Sequence, residues 1–208
     1  FNCTGVPAKC DRCCHSDGVV HEKQLELYSA ASMKALAVWI AIAFSGQLCF
    51  AGEDLITTAP KGNGDIVSYL LNTQNPSPAY VLILFPGSTG VVNPRMEDGK
   101  LAYDSKDNSL IRARTLMIDD QFATVATNAT QETDRIQTLL DDLHRRFPTA
   151  KIYLVGTSRG TFDTMALAGN LSDKIAGEIH TSSMSGIASF DAKKYENRHL
   201  VVHHRYDT

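Results

Sequence analysis

The chain has 208 residues, 43% of them hydrophobic and 21% charged, with a formal net charge of −3. That length and balance suit one globular domain with a sizeable core. The acidic balance and the lack of any basic run speak against a nucleic-acid partner, and there is no low-complexity tract or internal repeat.

Residues 1–32 are expected to be an upstream or non-native segment, disordered, because Met33 reads as a true start. This segment holds Cys3, Cys10, Cys13 and Cys14, four of the five cysteines. CDRCCH at 10–15 contains a C-x-x-C with His15 beside it, as a zinc knuckle would. No second ligand pair stands at a suitable spacing, so no metal is expected. Residues 33–51 read MKALAVWIAIAFSGQLCFA. A short positive start, an apolar run from Ala35 to Phe44 and small residues at Cys49 and Ala51 form a bacterial-type signal peptide with cleavage near Ala51. The run is too short to span a bilayer comfortably. The mature chain, 52–208, is therefore expected to be exported, periplasmic or secreted, without a stable membrane anchor. It carries no cysteine, so it has no disulfide and is held by its core alone.

From Gly52 on, short apolar runs alternate with longer periodic ones. Asp54 to Thr58 and Asp65 to Leu71 are predicted strands across the turn-rich 60–64, able to pair as a hairpin. Tyr80 to Phe85 (YVLILF) is apolar on both faces, which suits a strand covered on both sides. It ends at PGSTG, 86–90. Residues 91–108 read as polar and irregular, with Asp98-Gly99 as a turn. Ser109 is placed to cap a helix running to about Met117. Phe122 to Thr127 is a strand. Thr130 to Phe147 carries Ile136, Leu139, Leu140 and Leu143 at helical spacing and stops at Pro148. Lys151 to Val155 is a buried strand, Thr161 to Leu171 a packed helix, and Ala176 to Ser182 and His199 to His203 the last strands. Strands alternating with helices predict an α/β three-layer sandwich with a mostly parallel central sheet. Sites in such sheets lie beyond the C-terminal strand ends. Those ends carry PGSTG, GTSRG and HHRYD.

GTSRG at 156–160 fits G-x-S-x-G, a pattern a chain of this size meets by chance about 0.07 times. A strand before it and a helix after it are the context of a nucleophile elbow. Gly156 and Gly160 remove bulk where strand and helix nearly collide. Ser158 projects at the head of the helix, where N–H groups favour developing negative charge. The N–H of Arg159 is one candidate oxyanion donor, and the N–H of Ser88, in PGSTG, the second. The guanidinium of Arg159 is expected to pair with Asp163 at i+4, with an acidic substrate group as the alternative partner. Asp207, just past the last strand, is the candidate acid.

Through VLILFPGSTG, KIYLVGTSRG and LVVHHRYD in that order, the chain resembles the α/β-hydrolase superfamily over about residues 54–208. It is most similar to the small exported or dienelactone-hydrolase-like members. The resemblance implies a Ser–Asp–His triad in chain order with its histidine one strand beyond the acid, hence past Thr208, so that this chain reads as C-terminally truncated. His144 and His180 do not match the family position, and His203 and His204, either of which could reach the cleft, are expected to be structural or to flank the pocket. The implied function is a serine hydrolase cleaving a carboxylic ester or related acyl bond of a small molecule. A non-catalytic binding domain on the same fold, an acyltransferase and a peptidase stay open. No cofactor motif is present: G-x-S-x-G lacks the third glycine of a dinucleotide fingerprint. Met96, Tyr103, Met184 and Tyr195 are candidates for an acyl pocket. Oligomeric state is left open.

Overall fold

The computed structural model describes residues 52–58 and 66–203. The signal-peptide reading, the four N-terminal cysteines, His204 and Asp207 lie outside them. Seven strands form the main sheet: β1 (Gly52–Thr57), β2 (Ser68–Thr73), β3 (Tyr80–Phe85), β6 (Phe122–Ala126), β7 (Lys151–Thr157), β8 (Gly177–Thr181) and β9 (Arg198–Val202). A separate two-stranded ribbon pairs β4 (Arg95–Glu97) with β5 (Lys100–Ala102). The order across the main sheet is β1-β2-β6-β3-β7-β8-β9. β1 and β2 pair antiparallel, as does β2 with β6; every other neighbour is parallel. This is the expected mostly parallel central sheet of an α/β fold.

The apolar runs explain the strand positions. Val81, Ile83 and Phe85 point to one face of β3 and Leu82 and Leu84 to the other, and all are buried. Only a central strand with cover on both faces can hide such a run. The first face packs against α2 (Thr133–Arg146) and α3 (Gly160–Leu171) through Ile136, Leu139, Leu140, Leu143, Leu167 and Leu171. The second packs against α1 (Ser109–Ala113) through Leu110 and Ile111, with Val92 beside them. α2 follows its i, i+3, i+4 apolar spacing, and His144, Arg145 and Arg146 fill its last turn, where cations suit the helix dipole.

Three local expectations change. α1 is capped by Asn108, not Ser109: Asn108 Oδ1 accepts from the N–H groups of Leu110 at 3.0 Å and Ile111 at 3.3 Å. It ends at Ala113 and passes into a 3₁₀ turn, Arg114–Leu116. The carbonyl of Ile111 accepts from the backbone N–H of Arg114 and from its side chain (Nη1, 2.7 Å), so the last turn tightens. Arg114 is held there by Glu53, through Nε at 2.5 Å and Nη2 at 3.0 Å, and by Tyr103 Oη at 2.8 Å. Next, 91–108 is not wholly irregular. Asp98 (φ +50°) and Gly99 (φ +73°) are both left-handed, and they turn β4 back on β5. Finally, α2 begins at Thr133, because Thr130 Oγ1 accepts from the Glu132 N–H at 3.1 Å in a local turn ahead of the helix.

Candidate active site

Three chain segments converge at the C-terminal end of β7. β7 closes at Thr157, Ser158 takes φ +51°, and α3 starts at Gly160. A left-handed Ser is sterically disfavoured, so its surroundings must hold it. They do so from both sides. The Ser158 N–H donates to Thr181 O at 3.1 Å, and the Ser158 carbonyl accepts from Thr161 N at 3.1 Å and Thr161 Oγ1 at 2.6 Å. The side chain is left half-buried rather than sealed.

The glycines are where the backbones nearly touch. A methyl on Gly156 would stand 2.5 Å from Gly160 O, and one on Gly160 would overlap the carbonyl of Phe85 at the end of β3. A methyl on Gly87 would stand 2.8 Å from Ser158 Cβ and 3.4 Å from Ser158 Oγ. The PGSTG turn therefore lies directly against Ser158, not merely near it. The turn is closed by Gly90 N to Gly87 O at 3.1 Å and tethered to the loop after β6 by Ala129 N to Gly90 O at 2.7 Å. Ser88 at its tip is also left-handed, at φ +58°. Among the described residues, neither the Ser88 N–H nor the Arg159 N–H is used in a backbone hydrogen bond. Both remain able to bind a ligand oxygen.

The structure corrects the reading of Arg159. Its guanidinium turns across the turn, Nη1 lying 3.4 Å from Ser88 O, instead of forming an ion pair with Asp163. Asp163 is buried, and burial raises its pKa; a Gln131 hydrogen bond and the charge of Arg159 offset this only in part. Of the acyl-pocket candidates, Tyr103 is engaged by Arg114, and Tyr195 stacks on Phe190 with ring centroids 5.4 Å apart. Met96 and Met184 are exposed.

Among the imidazoles, His180 is fully buried on β8 beside Gly156, with Nδ1 3.1 Å from Thr164 Oγ1. His144 lies in the last turn of α2, and His203 is exposed just past β9. Sequence reasoning missed one group. Glu178, His180 and His199 share a face of β8 and β9, since Glu178 is the register partner of His199. The E-x-H spacing of β8 was the available signal, because residues two apart on a strand point the same way.

No protein-family model and no curated protein sequence matches this chain. Among solved structures it is similar to Est1E from Butyrivibrio proteoclasticus, with 17% identity, a TM-score of 0.47, and 65% of this chain and 53% of that one covered. The chain thus spans about half of Est1E. It is also similar to a lidless a/b serine hydrolase of Xanthomonas campestris, with 10% identity, a TM-score of 0.47, and coverage of 73% and 83%. A third similar structure is the S-formylglutathione hydrolase of Staphylococcus aureus, with 14% identity, a TM-score of 0.47, and coverage of 74% and 77%.

Proposed function

We propose that the protein is an exported serine hydrolase that cleaves a carboxylic ester or related acyl bond of a small molecule. The observation that carries this reading is the left-handed Ser158 at the head of α3, with the Gly87 backbone against it. In this reading Ser158 Oγ attacks the acyl carbon. Its proton passes to a histidine oriented by Asp207, which the resemblance puts one strand after the acid. The carbonyl oxygen becomes an oxyanion held by the N–H groups of Ser88 and Arg159, with the N-terminus of α3 behind them. The leaving group takes the proton back, and water then releases the acid from Ser158 by the same steps.

A fluorophosphonate probe tests this on the full-length protein. Labelling is expected on Ser158 and is expected to vanish in Ser158→Ala. Full-length protein that never reacts would leave Ser158 as a turn residue of a non-catalytic binding domain, and labelling that survives the substitution would remove Ser158 as the nucleophile.

A further inference from the structure

The buried group on β8 and β9 has no part in the proposed acyl chemistry. Glu178 and His180 are fully buried, and the His199 side chain is 7% exposed. Glu178 Oε2 lies 3.5 Å from His180 Nε2 and 3.5 Å from His199 Nδ1. Those separations are too long for good hydrogen bonds. Neither Glu178 oxygen, nor His180 Nε2, nor either nitrogen of His199 has a hydrogen-bond partner among the described residues. Phe190 stands edge-on to both imidazoles, with centroids 5.4 and 5.1 Å away, and Tyr195 covers His199 at 5.8 Å. A carboxylate and two imidazoles are thus shut inside an aromatic shell without partners, which is strongly unfavourable unless something compensates them.

The hydrogen-bond logic says what compensates them. Thr164 Oγ1 donates its one proton to Thr161 O at 3.0 Å. Toward His180 Nδ1, at 3.1 Å, it can then only accept. His180 in its neutral form therefore carries its proton on Nδ1 and turns the bare lone pair of Nε2 toward Glu178. Two electron-rich atoms face each other, and a cation satisfies both. A histidine that donates its far N–H to a fixed oxygen is the usual arrangement of a metal-bound imidazole. The spacing agrees. Ligand atoms at about 2.0–2.1 Å around a tetrahedral ion lie about 3.3–3.4 Å apart, against the two 3.5 Å separations found here. All three donor atoms lie within 4.8 Å of one another.

We propose that Glu178, His180 and His199 form a buried site for one divalent transition-metal ion, of which Zn²⁺ suits the two-imidazole, one-carboxylate set. Its role is structural. It ties β9 to β8 and seats the 182–197 segment, through Phe190 and Tyr195, over α3. Thr164 acts as a positioning residue, holding the tautomer of His180.

The test uses the full chain with Cys3, Cys10, Cys13, Cys14 and Cys49 changed to Ser, so that thiolates do not compete. After dialysis against a chelator it is titrated with Co²⁺ and then with Zn²⁺. One Co²⁺ per chain is expected, with visible d–d bands, no sulfur-to-cobalt charge transfer, and full displacement by Zn²⁺. Zn²⁺ is expected to raise Tm. His180→Ala and His199→Ala are expected to weaken binding at least about 100-fold and Thr164→Val about 10–100-fold, while His144→Ala leaves it unchanged. Should the alanine variants not fold, Glu178→Gln, which keeps the shape, carries the same comparison. Failure of the parent chain to take up one Co²⁺, or uptake that Glu178→Gln and His180→Ala leave intact, overturns the proposal. Neither outcome bears on fluorophosphonate labelling of Ser158, so the two readings fail separately.

Discussion

Gly87 carries a sharper constraint than its place in a loop suggests. Its Cα faces Ser158, and an added methyl would come to 2.8 Å from Ser158 Cβ. Gly87→Ala must push either the turn or the serine aside. If the Ser88 N–H is an oxyanion donor, a shift approaching 1 Å lowers the rate of probe acylation on the order of 100-fold. Stability should fall by only about 1–3 kcal/mol. Labelling kinetics and urea unfolding on the same samples separate the two effects, and a large stability loss with unchanged labelling would place Gly87 in packing alone. The tight turn at 156–160 was legible because Gly156, Ser158 and Gly160 all lie within it, where spacing along the chain is spacing in space. The contact of Glu178 with His199 was not legible. It depends on the register between β8 and β9, with the 3₁₀-rich 182–197 segment between them, and no local pattern encodes that register.

Among the elements, β2 and α2 are joined by a buried polar clamp as well as by their apolar faces. Tyr69, fully buried on β2, donates through its hydroxyl to Asp142 Oδ2 at 2.5 Å. Arg146 Nε and Arg145 Nη2 donate to the same carboxylate at 2.9 and 2.8 Å. Burial pushes the Asp142 pKa up, but the hydrogen bonds from Arg146 and Tyr69 and the two arginine charges outweigh it, so the carboxyl sits below its ordinary range. The phenol of Tyr69 is raised, by burial first and then by its bond to Asp142. The sign for stability follows. A carboxyl with a depressed folded pKa stabilises fully above its unfolded value of about 3.9 and loses that contribution as pH falls through the folded value. Asp142→Asn is therefore expected to cost about 1–3 kcal/mol at neutral pH and to flatten the loss of stability below about pH 4. Denaturant midpoints measured from pH 7 to pH 2 check it; parallel curves for the two proteins would show that Asp142 does not set the acid limb. Element types were readable from the buried apolar runs. Element ends were not: α1 stops where Arg114 is drawn toward Glu53, sixty-one residues away in sequence, a pull that helix propensity does not contain.

At the scale of the whole molecule, β9 is an edge strand of the sheet among the described residues. β9 pairs with β8 alone among the described strands, and Leu200, Val201 and Val202 are 53%, 46% and 48% exposed. An apolar edge of this kind invites pairing with another chain. Leu200 faces away from the Glu178 cluster, as the register partner of Ile179. Leu200→Lys should therefore suppress concentration-dependent association without disturbing the buried group. Light scattering across a dilution series reads this directly, and an unchanged profile would remove β9 as the sticky edge. The overall architecture was legible because alternating strands and helices admit few packings; the solvent exposure of one flank is a property of the assembled sheet and has no signature in any single run. Three of the four left-handed serines among the described residues, those that follow strands of the main sheet, also have a consequence at this scale. Ser88, Ser158 and Ser182 follow β3, β7 and β8, at φ +58°, +51° and +44°. Each holds a backbone conformation that costs an L-residue roughly 1–2 kcal/mol and glycine almost nothing. A library selected for heat resistance alone should therefore drift toward glycine at all three positions. At Ser182 that drift would be harmless to the proposed chemistry, whereas at Ser158 it would yield a sturdier protein stripped of the proposed nucleophile.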